Sequence, residues 1–289
     1  MDQRDVTQAI GRVQAHLIDA GSGPAVLMVH GSQAWAYAWR FQIPVLADAG
    51  YRAIAVDLPG EGYSQADETF DYSIPGMSDF LSQVLDHFNL PSAVLMASSA
   101  GGLPVLDFAI RHPERIDGLV LASTCGVSHR LPLLWRMARV PALGEAMGWF
   151  LSEGIVRQNL REAMVDPNSF DEKDVKAYYQ PLTRPEAWKT NLKIERSWDP
   201  SFVEENISRI RCPALIVWGE KDPWHPVDMA QEFARRLQRA DVKILPGCGH
   251  LPHEEQPQEF NRLLLAFLSE RIPMIGKQTD GSGIYQHAI

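Results

Sequence analysis

Ser99, Asp222 and His250 each follow closely on an apolar, strand-like run, and a hydroxyl, a carboxylate and an imidazole are the groups that nucleophilic catalysis combines. The run Ala93 to Ala97 stops at Ser98-Ser99-Ala100-Gly101-Gly102, and a helical pattern begins at once. A strand that turns straight into a helix leaves one side chain at the crest of the turn, provided its neighbours are small. Here that side chain is Ser99, flanked by Ala97 and Gly101. Taken alone, the stretch also reads as an ordinary helix start, with Ser98 or Ser99 as N-cap and the glycines as packing residues.

The other two residues lie far downstream. Ala214 to Trp218 runs into Gly219-Glu220-Lys221-Asp222-Pro223, which sets a carboxylate just past the carboxyl end of a buried strand, where α/β sheets keep their sites. Val242 to Leu245 runs into a loop in which glycines flank His250. A serine hydroxyl is a poor nucleophile at neutral pH, and an imidazole with an ordinary pKa of about 6.5 suits the task of taking its proton. A carboxylate then holds the imidazole in one tautomer and stabilises the imidazolium. Asp228 falls inside a predicted helix and His253 opens an acidic one, so both read as surface or supporting residues. Cys248, two residues from His250, is poorly placed for deprotonation by it and reads as packing. His16, His87, His112, His129, His225 and His287 are scattered without zinc-ligand spacing.

Elements that position these residues alternate along the chain, which predicts an α/β architecture with a mostly parallel sheet. Val13 to Ile18 and Ala25 to Val29 read as an opening strand pair around Gly21-Ser22-Gly23-Pro24. Helical spacing follows over Ala36 to Gly50, a strand over Tyr51 to Val56, a helix over Ile74 to Leu90, and a strand over Ile116 to Ala122 after the helix Leu103 to Arg111. From Gly126 to Pro200 no strand is apparent. Helical segments there are interrupted at Pro132, Pro141, Pro167, Pro181 and Pro185 and rich in Trp, Met, Phe and Tyr. The alternation then resumes and closes with a helix over Glu254 to Ser269. The domain reading is a core of residues 1–125 and 201–271, a helical cap of 126–200, and a loose extension of 272–289.

Bulk properties exclude more than they assign. The 289 residues are 45% apolar and 22% charged, ordinary for a globular chain, and the formal charge of −9 argues against a nucleic-acid surface. Cys125, Cys212 and Cys248 are odd in number and dispersed, as free thiols of a reducing compartment would be. With no apolar h-region at the start and no spanning run, the expectation is a cytoplasmic protein without a membrane partner, monomer or homodimer.

The chain order Ser99, Asp222, His250, together with His30-Gly31-Ser32, the run from Trp39-Arg40 to Asp57-Leu58-Pro59-Gly60, and Trp218-Gly219-Glu220-Lys221-Asp222, resembles the α/β-hydrolase family over about Val13 to Glu270. Ala97 stands where that family usually has glycine. The resemblance implies an α/β-hydrolase fold: a mostly parallel, doubly wound sheet with a helical cap inserted between strands 6 and 7. It implies Ser99 rather than Ser98 as nucleophile, and Asp222 rather than Glu220 as acid. It also implies backbone N–H groups of Ser32 and Ala100 as the oxyanion hole, and His30, Gly31 and Gly101 as structural residues beside the site.

Serine at position 99 speaks against the epoxide hydrolases and haloalkane dehalogenases of the family, whose nucleophile is aspartate. The first expectation is a serine esterase acting on a hydrophobic, uncharged acyl compound, with Trp35, Tyr37 and Trp39 adding to an apolar pocket. No metal and no organic cofactor is called for. The alternatives are hydrolysis of a carbon–carbon bond in a ring-fission vinylogous diketone and a non-catalytic small-molecule receptor. His30-Gly31-Ser32 resembles the carbon–carbon hydrolases, although Gln33-Ala34-Trp35 replaces their Gly-Pro-Gly run.

Overall fold

A computed structural model describes residues 3–127 and 133–271 of the protein. The expected extension 272–289, with His287, and the expected features at His129 and Pro132 lie outside the described residues.

One eight-stranded sheet organises the described residues, in the order β1-β2-β4-β3-β5-β6-β7-β8. The strands are β1 (Gln3–Ile10), β2 (Val13–Gly21), β3 (Ala25–Val29), β4 (Arg52–Val56), β5 (Ala93–Ser98), β6 (Ile116–Ala122), β7 (Ala214–Gly219) and β8 (Ala240–Leu245). β1 pairs antiparallel with β2 and β2 antiparallel with β4, while every pairing from β4 to β8 is parallel. The opening pair is therefore not the one expected: β2 pairs with β1 and β4, and β4 separates it from β3. β1 escapes sequence reading because it is a polar edge strand, exposed along most of its length.

β3, β5 and β7 are buried at every residue, because helices cover both faces. Leu27, Ile54, Leu95, Leu121 and Ile216 point to one side, against α2 (Ile74–His87), α3 (Gly102–Arg111) and α10 (Asp228–Arg236). Val26, Met28, Met96, Val120 and Val217 point to the other, against α1 (Ile43–Asp48) and the closing helix (Pro257–Arg271), with Phe260 and Leu264 filling that layer. The helix expected over Ala36 to Gly50 divides into a 3₁₀ turn, Ala36–Trp39, and α1. No helix among the described residues is long and apolar enough to cross a membrane.

Between β6 and β7 the described elements are helices: α4 (Leu133–Ala138), α5 (Leu143–Gly148), α6 (Glu153–Ala163), α7 (Glu172–Leu182), α8 (Ala187–Ser197) and α9 (Ser201–Asn206). Ser152 caps α6, and Asp171 and Asp174 form a reciprocal capping box on α7. Val156, Leu160, Ala163, Val175 and Tyr178 build a separate apolar cluster against Ala38 of the core. The interruption expected at Pro181 is absent: α7 continues to Leu182. Proline has no N–H to offer the carbonyl four residues back, so Ala177 O is left free of that helical bond. The Trp35 indole N–H donates to it at 2.9 Å.

The aromatic residues near β3 therefore serve differently from the expectation. Trp35 and Tyr37 stack on each other and dock α7, with Tyr37 Oη donating to Asp174 Oδ1 at 2.9 Å, while Trp39 is fully buried in the core. Trp149 and Phe150 of the insertion are 84% and 73% exposed.

Candidate active site

Ser99 sits at the end of β5, on the first residue of a 3₁₀ turn, Ser99–Gly101, that continues into α3. Its φ of 50° is in the left-handed region, strained for a residue with a Cβ, and such strain persists only where the surroundings enforce it. Small neighbours make the turn possible. A Cβ on Gly31 would lie 2.9 Å from Ser99 Cβ, and one on Gly101 would lie 2.2 Å from the His30 carbonyl oxygen. Ala97, the departure at this turn, is fully buried within β5 with its methyl in the apolar core, so it does not crowd the serine. Ser98 is buried, its hydroxyl without a hydrogen-bond partner among the described residues, and it borders the pocket.

The three residues that the sequence singles out converge. Asp222, three residues beyond β7, and His250, in the loop after β8, meet Ser99 across the carboxyl ends of the strands. His250 Nε2 lies 3.0 Å from Ser99 Oγ, and His250 Nδ1 lies 2.8 Å from Asp222 Oδ2. A carboxylate can only accept, so Nδ1 carries the proton and Nε2 turns its lone pair toward the serine hydroxyl. Asp222 Oδ1 accepts the N–H groups of Trp224 and His225 at 2.9 and 2.8 Å. Burial alone would raise the Asp222 pKa, but His250 and these N–H donors outweigh it and hold the carboxyl below its ordinary value. It stays ionised at neutral pH.

His30 is buried and uses both ring nitrogens on the backbone: Nδ1 donates to Gly31 O at 2.8 Å and Nε2 accepts from Leu58 N at 3.0 Å. Burial, the largest influence, lowers its pKa and keeps the ring neutral. Ala34 N also reaches Gly31 O, and Gln33 N donates to Glu61 Oε1 at 3.0 Å, so the peptides on either side of Ser32 are fixed. Ala100 is the second residue of the 3₁₀ turn.

The competing residues fall elsewhere. Asp228 begins α10. His253 packs on Trp39 with ring centroids 4.4 Å apart, and burial lowers its pKa to about 3. Cys248 is fully buried, which pushes its thiol pKa up.

His225, set aside in the sequence, is close to the chemistry. Its ring stands edge-on to His250 at 4.7 Å, its Nδ1 donates to Ser123 O at 2.7 Å, and its Nε2 lies 3.5 Å from Cys125 Sγ. The spacing was a usable signal, since an aspartate habitually accepts N–H groups two and three residues on. Asp222, His225 and His250 bring potential metal donors within 4.8 Å of one another, yet each ring nitrogen and each Asp222 oxygen already has a protein partner, which suits proton handling better than metal binding. His16, also set aside, pairs with buried Asp57 at 2.8 Å and with Asp5 at 2.7 Å.

A pocket opens over Ser99 and His250, enclosing about 700 Å³ including the open space at its mouth. Val156, Leu160 and Leu182 of the helical insertion form its apolar wall, and Trp224 flanks His250 with ring centroids 4.8 Å apart. Asn159, Gln33 and Glu254 supply polar groups, and among the described residues no lysine or arginine lines it. Among the described residues, the arrangement joins a hydroxyl, a base whose lone pair faces that hydroxyl and an ionised acid beneath a largely apolar roof.

The profile of the alpha/beta hydrolase family matches residues 26–263, and the chain belongs to that family. It is 30% identical to a 2-hydroxymuconate semialdehyde hydrolase of Pseudomonas sp. (strain CF600), over 89% of this chain and 91% of the relative. It is 28% identical to a 2-hydroxy-6-oxo-6-phenylhexa-2,4-dienoate hydrolase of Comamonas testosteroni, again over 89% and 91%. In three dimensions it resembles a 2-hydroxy-6-oxo-6-phenylhexa-2,4-dienoate hydrolase from Rhodococcus sp. strain RHA1, with a TM-score of 0.79 and 24% identity over 93% of this chain and 99% of the other. At that identity the likeness speaks for the fold.

Proposed function

We propose that the protein is a serine hydrolase that cleaves a carbon–carbon bond beside a ketone in a ring-fission type of vinylogous diketone, with Ser99 as nucleophile, His250 as base and Asp222 as its orienting acid. The observation that carries the serine mechanism is the unbroken chain from Ser99 Oγ through His250 to Asp222, at 3.0 and 2.8 Å, under one pocket. The support for the bond comes from the relatives, whose names specify 2-hydroxy-6-oxo-dienoates and 2-hydroxymuconate semialdehyde. This displaces the ester as the first reading.

In the keto form of such a compound, Ser99 Oγ adds to the terminal ketone and its proton passes to His250 Nε2. The N–H groups of Ser32 and Ala100 meet the resulting oxyanion; losing one such donor typically costs about 10²–10³ in rate. Collapse breaks the bond to the adjacent carbon, whose electron pair is delocalised into the conjugated enone as a dienolate and takes up a proton from His250. Water, deprotonated by the same imidazole, then releases the acid from Ser99.

An ester remains the second reading for one reason: a dienoate carries a carboxylate, and the described residues that line the pocket include no lysine or arginine. Mixing the protein with a ring-fission dienol and, separately, with short aryl esters decides between them. Rapid loss of the dienol colour, absent in Ser99→Ala, supports the carbon–carbon reading. Ester turnover without colour loss restores the esterase, and neither activity together with no Ser99 labelling by a fluorophosphonate leaves a binding protein.

A further inference from the structure

The cap touches more than the roof of the pocket. Where α6 ends, the Ala163 carbonyl accepts the His250 N–H at 2.6 Å, so the backbone that carries the base is bonded directly to the cap. Glu255 spans the same junction. Its Oε2 accepts the Gly249 N–H at 2.6 Å, and its Oε1 accepts the N–H groups of Val165 and Asp166 at 2.7 and 2.8 Å. One carboxylate thus holds the histidine loop with one oxygen and the cap with the other. Gly249 permits the approach, because a Cβ there would lie 2.1 Å from Ala163 O.

A second tie reaches the other half of the site. Glu195, on α8, accepts the Ser32 hydroxyl at 3.0 Å with a side chain only 12% exposed. A lid that only enclosed substrate would need contacts with the pocket rim. These bonds go instead to the loops that carry His250 and Ser32.

We propose that the cap is the positioning element for the reacting groups, and that Glu255 and Glu195 are the positioning residues through which its closure sets the His250 and Ser32 loops. The proposal rests on the reading of Ser99 as nucleophile. Displacement of a reacting group by about 1 Å can cost about 10²-fold in rate, which sets the scale of the effect.

The test is the rate at which a small fluorophosphonate labels Ser99. Such a probe needs the serine, its base and the oxyanion donors but little of the cap's substrate-binding surface. Glu255→Ala and Glu195→Ala should each label about 10²-fold more slowly than the unmodified protein and lose kcat with little change in KM. Glu195→Gln, which keeps an oxygen for Ser32, should recover most of the rate, and Glu255→Gln, with one acceptor oxygen left, should fall between. Should Glu255→Ala fail to fold, Gly249→Ala pushes the same junction apart and should show the same slow labelling.

Labelling at the unmodified rate with a raised KM would overturn the proposal, since the cap would then serve binding alone. So would equal slowing in the alanine and glutamine variants of Glu195 with a lowered unfolding midpoint. No labelling of the unmodified protein would remove the Ser99 reading itself, and the proposal with it.

Discussion

Asp222 and His250 share a 2.8 Å hydrogen bond in which the acid side chain is fully buried and the imidazole almost so, with 0% and 1% of their side chains exposed. Asn in place of Asp222 could turn its NH₂ toward Nδ1 and stabilise the tautomer whose Nε2 carries the proton, the wrong one for accepting from Ser99. Asp222→Asn is therefore expected to fold normally and lose about 10⁴-fold in kcat at neutral pH. Steady-state kinetics beside an unchanged circular dichroism spectrum checks this. A loss below tenfold would mean that another acid orients the base.

The turn at Ser99 depends on the absence of a side chain two residues on. A Cβ at position 101 would meet the His30 carbonyl at 2.2 Å, a backbone atom that cannot rotate away. Gly101→Ala should destabilise the fold by about 1–3 kcal/mol, the usual range for overpacking, and displace Ser99 as well. Chemical denaturation of both proteins measures the first effect and fluorophosphonate labelling the second.

His16 contributes a pH dependence of stability. Burial would lower its pKa, but Asp57 and Asp5 outweigh burial and raise it above 6.5. The folded state thus binds this proton more tightly than the unfolded chain. The stabilisation is fully present below about pH 6.5 and is lost as pH rises through the folded pKa. The unfolding midpoint should fall over that interval, and His16→Gln should flatten this part of the profile. An unchanged slope in the variant would assign it to other groups.

What could be read from the sequence, and what could not, follows from whether the signal is local. Ser99 and Asp222 were legible because each follows an apolar run that must be a buried strand, and His250 because it follows the strand-like run of the edge strand β8; the ends of these parallel strands meet on one edge of the sheet. The pairing of β2 with β4 was hidden because consecutive strands usually neighbour each other, whereas here the order depends on a strand thirty residues further on. Trp35 and Tyr37 were assigned to the pocket because aromatic residues near a site suggest apolar lining. Their docking role depends on a carbonyl left free by Pro181, a partner that no spacing connects to position 35. Glu195 and Glu255 were invisible for the same reason, since an acidic residue on a helix reads as a solvated surface until a distant loop is placed against it.

The proposed function turns on a covalent acyl intermediate that Ser99 forms with help from His250. Turnover of the best substrate, measured for the unmodified protein, Ser99→Ala and His250→Ala with fluorophosphonate labelling in parallel, tests it most directly. A fall in kcat of about 10⁶-fold for each variant and a probe adduct that maps to Ser99 are expected. Losses of less than about tenfold, or an adduct on another residue, would contradict it.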